Sequence, residues 1–494
     1  MRRARKLQPP GARAARVAAA VPVAAFVAAF LAAFLAAPLP APAIDGETPR
    51  ASQASAGNDY PQHLGPTRDG RVSDEGIAAA WPAAGPPELW RRPVGEGFAG
   101  PAVSDGKLVL FHRVDDREVV EAFDATSGER LWSTGYPTSY RDDFGFDEGP
   151  RAVPTIAGGR VFTFGAQGVL QALDLGTGER LWMIDTHERF AVPKGFFGAA
   201  SAPLVASGRV MVNVGGAGSG DGGGGSGRGG SGAGGSGAGG IGAGGSAGGD
   251  FGGPGRAGAS GAGIVAFDAA SGEVLWTATD HGASYSTGVM TTLGGRTGAL
   301  FFTREGLVEI DPADGSVRAD FRWRSRSAAS VNAATPLVID ERVFLSASYN
   351  TGAVLLARGA DGFTPVWSSD DVLSNHYATS VRHRGYLYGY HGRQEYSPSL
   401  RAVELATGAV AWSIDRFGGG SILVAGDTLL ILREGGELVL AEASPTAFTP
   451  IARARILAGT VRAYPAVAGG ILYARNEREL VAVRLSPSSV PPPD

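Results

Sequence analysis

The side chains best suited to chemistry lie in short segments between β-rich stretches. His376, His383 and His391 follow one another closely, and imidazole is a common metal ligand. Their spacings of 7 and 8 residues, on successive strands, do not bring three rings together, so we predict no metal site there. A second group is acidic and consists of Asp142, Asp143, Asp147 and Glu148. It could bind a cation, but acidic loop residues usually face solvent, which favours a solvated loop.

A third group of polar residues stands just before predicted strands. Its members are Arg151, Tyr285, Ser286, Asn332, Asn375 and His376. Arg151 could bind an anion or pair with a nearby carboxylate, and the sequence leaves both open. We assign no catalytic residue. Whether the group forms a site depends on the elements that position it.

Composition excludes several classes of protein. The 494 residues include no Cys, which excludes a disulfide scaffold, a thiolate metal site and a cysteine nucleophile. The 44 basic residues are balanced by 48 acidic ones, so no broad positive surface for nucleic acid is expected.

The first 43 residues have the pattern of an export signal. A basic leader precedes an uncharged apolar run from Val17 to Ala37, and Ala41-Pro42-Ala43 is a small-x-small cleavage pattern. The run is also long enough for an uncleaved membrane anchor. In both cases the remainder is expected outside the cytoplasm, in the periplasm or cell envelope, secreted or anchored. Residues 44–58 are expected to form a flexible tether and 486–494 a disordered tail.

Internal repeats indicate the fold. Three segments align as AFDATSGERLW, ALDLGTGERLW and AFDAASGEVLW, and AVELATGAVAW is a fourth. Asp124 and Asp174 are 50 residues apart, whereas Asp174 and Asp268 are 94 apart. Removing the Gly/Ser-rich stretch 215–263, which we expect to be a disordered insert, leaves 45. The period is therefore about 45 residues, which suits a four-stranded propeller blade.

Each repeat residue has a structural role. The Asp accepts hydrogen bonds from backbone amides of a tight turn, the Gly supplies a positive φ, and the Trp fills the space between neighbouring blades. The residues assigned to these roles are Asp124, Gly128, Trp132, Asp174, Gly178, Trp182, Asp268, Gly272, Trp276, Gly408 and Trp412.

The repeat count predicts an all-β protein, an eight-bladed propeller of four-stranded antiparallel blades over residues 59–485. The last unit ends at Leu485, one strand short, and Leu89 to Val94 carries the terminal Leu-Trp of a repeat. We therefore predict that this strand, with Trp90, completes the final blade and closes the ring. The third group of polar residues then lies in loops that border one axial face, where it could line a funnel.

The pattern A-x-D-x-x-[ST]-G-E-x-x-W resembles the PQQ-type repeat of quinoprotein dehydrogenases and of BamB, the propeller of outer-membrane β-barrel assembly. The segment Tyr60-Pro61-Gln62-His63-Leu64-Gly65-Pro66-Thr67-Arg68-Asp69-Gly70 is similar to an opening found in exported bacterial propellers of this superfamily. The dehydrogenase branch implies a quinone over a calcium ion, a catalytic Asp, a stacking Trp and usually a vicinal disulfide. The disulfide is impossible here. Trp81 is the Trp outside the repeat frame that could form a stacking floor, but its position in the N-terminal approach segment favours a surface or packing role.

The resemblance supports three functions. The favoured one is an exported, non-catalytic monomer that binds another envelope protein, or a small or polymeric ligand, through one face, without a cofactor. The alternative is a divergent PQQ-dependent oxidoreductase acting on alcohols or sugars, which alone would need PQQ and calcium. A weaker alternative is a carbohydrate- or polymer-binding module.

Overall fold

The strands of the protein form eight separate sheets, the blades of a propeller. A computed structural model describes residues 59–73, 77, 81–82, 85–192, 194–195, 197–216, 261–325 and 332–485. The eight sheets confirm the predicted all-β propeller. The predicted leader, tether and tail, and residues 217–260 of the insert, lie outside these ranges. Within them, no helix has the length and apolar content needed to cross a bilayer.

Two strands precede blade 1 in the chain, β1 (Arg71–Val72) and β2 (Glu88–Pro93). The first four blades follow in chain order. Blade 1 contains β3 (Ala102–Ser104), β4 (Lys107–Val114), β5 (Arg117–Asp124) and β6 (Arg130–Pro137). Blade 2 contains β7 (Thr155–Ala157), β8 (Arg160–Phe164), β9 (Val169–Asp174) and β10 (Arg180–Asp185), and is followed by α1 (Thr186–Phe190). Blade 3 contains β11 (Leu204–Ala206), β12 (Arg209–Val212), β13 (Ile264–Asp268) and β14 (Val274–Ala278). Blade 4 contains β15 (Val289–Leu293), β16 (Arg296–Phe302), β17 (Gly306–Ile310) and β18 (Val317–Arg322).

The remaining blades complete the ring. Blade 5 contains β19 (Leu337–Ile339), β20 (Arg342–Ala347), β21 (Gly352–Gly359) and β22 (Gly362–Ser369). Blade 6 contains β23 (Val381–His383), β24 (Tyr386–His391), β25 (Ser399–Glu404) and β26 (Val410–Ile414), with a 3₁₀ turn at Gln394–Tyr396. Blade 7 contains β27 (Gly420–Ala425), β28 (Thr428–Arg433), β29 (Glu437–Glu442) and β30 (Pro450–Arg455). Blade 8 contains β31 (Ala466–Ala468), β32 (Ile471–Arg475) and β33 (Glu479–Arg484).

The N-terminal strand closes the ring, as predicted. β2 pairs antiparallel with β33, with Trp90 opposite Ala482 and Arg92 opposite Leu480, so blade 8 has the order β2-β33-β32-β31. First strands of neighbouring blades contact one another, including β3 with β31, which places them nearest the axis. Closure gives the last sheet its fourth strand, so that β33 is paired on both sides.

The repeat residues join consecutive blades. Trp132 donates its Nε1–H to the carbonyl of Leu175, 3.0 Å away in the turn of the next blade. Its ring covers Gly178, whose φ is +72° and whose absent Cβ would lie 2.5 Å from Trp132. Trp90 makes the same contact with Gly128 across the closure. The same relation recurs at Trp182 with Gly272, Trp276 with Gly315, and Trp367 with Gly408.

The Asp of each repeat stabilises its turn. Oδ1 of Asp124 accepts hydrogen bonds from the backbone amides of Thr126 (3.1 Å) and Ser127 (2.8 Å), and Asp174 and Asp268 make equivalent bonds. Hydrogen bonds from the Ser127 amide and hydroxyl lower the pKa of Asp124. A single extra residue before each Trp, such as Leu131, forms a β-bulge that directs the ring toward the next blade.

The N-terminal segment 60–72 crosses the centre of the ring. Tyr60 pairs with Val103 of blade 1, whereas β1 runs parallel to β27 of blade 7. Between them the buried Arg68 donates to the carbonyls of Pro203 (2.5 Å) and Gly288 (2.9 Å), which precede blades 3 and 4. Burial lowers the pKa of Arg68 to about 9. The segment that resembles the opening of exported propellers is therefore an internal plug of the axial channel.

Candidate functional site: an aromatic funnel

A cavity of about 220 Å³ lies on one axial face. Most of its wall comes from connections that lead from the last strand of one blade to the first strand of the next. The lining residues include seven aromatic side chains, two arginines and one carboxylate, namely Phe98, Phe146, Phe197, Tyr285, Tyr349, Tyr377, Tyr464, Arg151, Arg462 and Glu395. Thr287, Gln394 and two histidines, His63 and His376, complete the polar wall. A concave, mostly aromatic wall with few polar groups is typical of a small-molecule site.

Three of the six predicted funnel residues line the cavity, namely Arg151, Tyr285 and His376. The other three lie behind the wall. Asn375 is fully buried and donates to the carbonyl of Ala378 (2.7 Å). The carbonyl of Asn332 accepts the amide of Ser286 (3.0 Å), so these two residues hold the loop that presents Tyr285.

Two arginines flank one phenyl ring at the wall. The guanidinium carbon of Arg151 is 5.6 Å from the centroid of Phe98, and that of Arg462 is 5.5 Å from the same centroid. Each is within the range of a cation–π interaction. Arg151 also lies 3.6 Å from the buried carboxylate of Asp142, and Nε of Arg462 donates to Glu434 at 3.2 Å. Arg151 thus pairs with a carboxylate and still faces the cavity.

A hydrogen-bonded chain forms another part of the wall. The hydroxyl of Tyr349 is 2.9 Å from Nε2 of His376, and Nδ1 of His376 contacts Oε1 of Gln394. Burial lowers the pKa of His376, so its ring is neutral near pH 7. Burial also raises the pKa of Tyr285 to about 12, and the Tyr285 hydroxyl accepts the amide of Phe197 at 3.0 Å.

The plug forms part of the floor. His63 packs edge-on against Tyr464, with ring centroids 4.9 Å apart. Burial, with the nearby charge of Arg68, lowers the pKa of His63 to about 3. The amide of Thr379 donates to the Tyr464 hydroxyl at 2.5 Å, which fixes that ring. Because the plug closes one end, the cavity is reached from one face.

The other titratable groups are dispersed. His383 contacts Asp427 at 2.9 Å, and Nδ1 of His391 accepts the amide of Ser374 at 3.3 Å. The acidic cluster is likewise divided, because Asp143 pairs with Lys194 (2.6 Å) whereas Asp147 accepts backbone amides. Burial raises the pKa of Asp147. In the described ranges, no three His, Asp or Glu residues are grouped so as to hold a metal.

The donor set of the funnel does not fit the calcium of a quinoprotein. Calcium takes six to eight oxygen ligands, several of them carboxylates. Among the described lining residues the carboxylate is Glu395, and Arg393 pairs with it at 2.9 Å. Trp81 packs beside the core formed by blades 7 and 8, away from the funnel wall.

Sequence reasoning missed several wall residues. Phe98, Phe197 and Arg462 precede the prolines that begin inner strands, so the rule that selected Arg151 would also have selected them. Tyr349 and Gln394 come from loops between the second and third strands of a blade. No sequence signal identified those loops as neighbours of the axis.

Comparisons with known proteins agree with the fold. A family model described as "Outer membrane protein assembly factor BamB" matches residues 74–230 and 254–414, more than half of the chain. BamB from Moraxella catarrhalis is similar in structure, with a TM-score of 0.54 and 14% identity over 81% of this chain and 97% of that one. A europium-containing methanol dehydrogenase gives a TM-score of 0.56 and 11% identity over 87% of this chain and 90% of that one.

At these identities the structural likeness shows the fold alone. The comparison with curated protein sequences found no match. The repeat with its docked tryptophans, the ring of eight blades and the extent of the family match lead to one conclusion: this chain belongs to the family of PQQ-repeat β-propellers described as outer membrane protein assembly factor BamB.

Proposed function

We propose that this chain is an exported, non-catalytic binding protein that captures a ligand in the aromatic funnel. The observation that carries the proposal is the funnel itself, an aromatic cavity closed at its base by the plug, with two arginines in its wall. Export is supported by the pattern of residues 1–43. A cavity closed at its base suits a small molecule or the end of a larger one better than the middle of a polymer.

Absence of catalysis is supported by the state of the candidate groups. His376 bonds to both Tyr349 and Gln394, and Glu395 pairs with Arg393. This arrangement favours recognition over proton transfer.

The test is a binding screen with a blocked funnel. Full-length protein is mixed with single amino acids, monosaccharides, aromatic acids, and PQQ with and without calcium, and binding is followed by thermal shift and native mass spectrometry. Ala200→Trp fills the cavity, because Ala200 lines it. Ala313→Trp, in an exposed turn at the opposite end of blade 4, is the matched control.

We expect saturable binding of at least one compound, abolished by Ala200→Trp and retained in Ala313→Trp. Binding that survives Ala200→Trp would refute the funnel as the site. No binding from any class would refute ligand capture. Dye-linked oxidation of an alcohol after loading with PQQ and calcium would replace the proposal with the oxidoreductase alternative.

A further inference from the structure

The arginines of the funnel stand near the ring closure, whereas the hydroxyl of Tyr349 stands nearly across the axis from Arg151. Arg151 follows blade 1 and Arg462 follows blade 7, so both stand near the closure of the ring. Tyr349 belongs to blade 5, and His376 and Glu395 lie between blades 5 and 6 or within blade 6. In a ring of eight, blade 5 stands across the axis from blade 1. A ligand that spans the cavity therefore meets different chemistry at its two ends.

The arginine side presents donors and positive charge. Arg462 uses Nε to bond Glu434, and in the described part of the chain neither of its Nη groups has a hydrogen-bond partner. Arg151 has its counter-charge in the buried carboxylate of Asp142, and its Nη groups donate to the carbonyls of Gly149 (3.3 Å) and Asp147 (2.9 Å). The Nη groups of Arg462 can donate to the oxygens of a ligand carboxylate, and Arg151 adds positive charge nearby, since both guanidinium groups contact Phe98.

The Tyr349 side presents acceptors. With the amide oxygen of Gln394 against Nδ1 of His376, that nitrogen carries the proton and Nε2 is an acceptor. The hydroxyl of Tyr349 must then donate to Nε2, which leaves its oxygen free to accept a hydrogen bond from a ligand. Glu395 adds an acceptor beside it, although Arg393 offsets its charge at 2.9 Å. This side suits a hydroxyl group better than a second carboxylate.

The middle of the funnel is lined by aromatic rings. Phe197 and Tyr285 meet edge to face with centroids 5.6 Å apart, and Phe146 lies 6.2 Å from Phe197. The volume of about 220 Å³ is below the roughly 300–1,000 Å³ typical of drug-sized ligands, so the ligand is small. A sugar would need partners for hydroxyl groups around its whole ring, and this wall supplies few of them.

We propose that the funnel binds a small aromatic acid that carries a hydroxyl group at the end of the molecule opposite its carboxylate. The carboxylate lies against Arg462, with the charge of Arg151 nearby, the ring lies between the aromatic walls, and the hydroxyl donates to Tyr349. This inference rests on the proposed function, since it names the ligand class of the same funnel. A polyanionic quinone would place one of its carboxylates against the acceptor side, so the two ligand classes are distinguishable.

The experiment compares three probes on the full chain by titration calorimetry: 4-hydroxycinnamate, cinnamate and 4-hydroxycinnamamide. Charge-assisted hydrogen bonds contribute about 1.5–3 kcal/mol, so the amide should bind roughly 10- to 150-fold more weakly than the acid. A neutral hydrogen bond contributes less, so cinnamate should bind roughly 2- to 10-fold more weakly than 4-hydroxycinnamate.

Two variants test where the carboxylate and the hydroxyl of the ligand bind. Arg462→Gln should reduce the preference for acid over amide, and Tyr349→Phe should abolish the preference for 4-hydroxycinnamate over cinnamate. Arg160→Gln, in a strand of blade 2 away from the funnel, should alter neither preference. The comparison of probes on the unaltered protein needs no variant, so a variant that fails to fold does not obscure the result.

The outcomes separate this inference from the proposed function. Equal affinity for acid and amide, or preferences unchanged by both variants, would overturn the inference. The inference would also fail if none of the three probes binds while a sugar, an amino acid or PQQ does bind and is blocked by Ala200→Trp. In that case the proposed function, ligand binding in the funnel, would still stand. If no compound binds in a way that Ala200→Trp blocks, both proposals fail.

Discussion

Substitution of Gly178 by alanine measures how the tryptophans join the blades. The φ of Gly178 is +72°, which costs a residue with a Cβ about 1–2 kcal/mol. The new Cβ would also lie 2.5 Å from Cδ2 and Cε3 of Trp132, and overpacking of this kind costs roughly 1–3 kcal/mol. We therefore expect Gly178→Ala to lower the free energy of unfolding by about 2–5 kcal/mol.

A matched glycine separates the two contributions. Gly158 in the same blade has a φ of +56°, but its Cβ would meet no atom within 4 Å. Gly158→Ala should therefore lower the unfolding free energy by the backbone cost alone, about 1–2 kcal/mol. The difference between the two variants is the cost of contact with Trp132.

A double-mutant cycle tests the contact directly. Trp132→Ala alone should lower the unfolding free energy by about 3 kcal/mol. This is the lower end of the usual effect of a Trp-to-Ala change, because the ring is only partly buried. In that background Gly178→Ala no longer meets the ring, so the double variant should be more stable than the sum of the single effects by about 1–3 kcal/mol. Guanidinium unfolding is followed by circular dichroism, because the change of Trp132 alters fluorescence. Additive effects, with Gly178→Ala equal to Gly158→Ala, would refute the docking of the ring on the turn.

Two further predictions concern the closure and the plug. Trp90 is 6% exposed and bonds Ala125 across the closure at 3.0 Å, so Trp90→Ala should cost about 3–5 kcal/mol and increase hydrogen exchange in β33. Leu131→Ala, at an exposed bulge, is the control and should lower the unfolding free energy by less than about 0.5 kcal/mol. An equal decrease in both variants would contradict the claim that Trp90 stabilises the ring closure. The pKa of His63 is lowered from 6.5 to about 3, so below pH 6.5 the unfolded chain binds a proton that the folded chain does not. The free energy of unfolding should therefore fall as the pH drops from 6.5 toward 3, by up to about 1.4 kcal/mol per pH unit. His63→Gln should reduce the difference in unfolding free energy between pH 7 and pH 5, measured by chemical unfolding. An unchanged difference would exclude His63 as the source of the pH dependence.

The ring could be predicted because its determinants are local and repeated. Asp124, Gly128 and Trp132 lie within nine residues, and each acts on a turn or on the adjacent blade. The same relation then applies around the circle, so even the closing strand followed from one Leu-Trp pair at Trp90. Errors in single units have little effect on such a prediction, since the neighbouring units constrain the geometry.

The funnel was predicted only in part because its wall combines residues that are far apart in the chain. Arg151 and Arg462 meet the same ring of Phe98 although some 300 residues separate them. The sequence identified the connections that face the axis, but not which side chain of each connection points inward. Asn375 and Asn332 were chosen as polar loop residues, and their amide groups instead satisfy buried carbonyls.

The plug shows why membership of the family leaves the ligand open. The docked tryptophans specify the ring, and a ring of this kind is shared by BamB and by a methanol dehydrogenase at 14% and 11% identity. In this chain, residues 60–72 close one end of the axis and His63 forms part of the floor, so the depth of the funnel depends on a segment outside the repeats. The wall depends on connections that the repeat does not constrain. Function must therefore be argued from Arg151, Arg462 and Tyr349 rather than from the blades, because the residues that meet a ligand and the residues that make the fold are different sets.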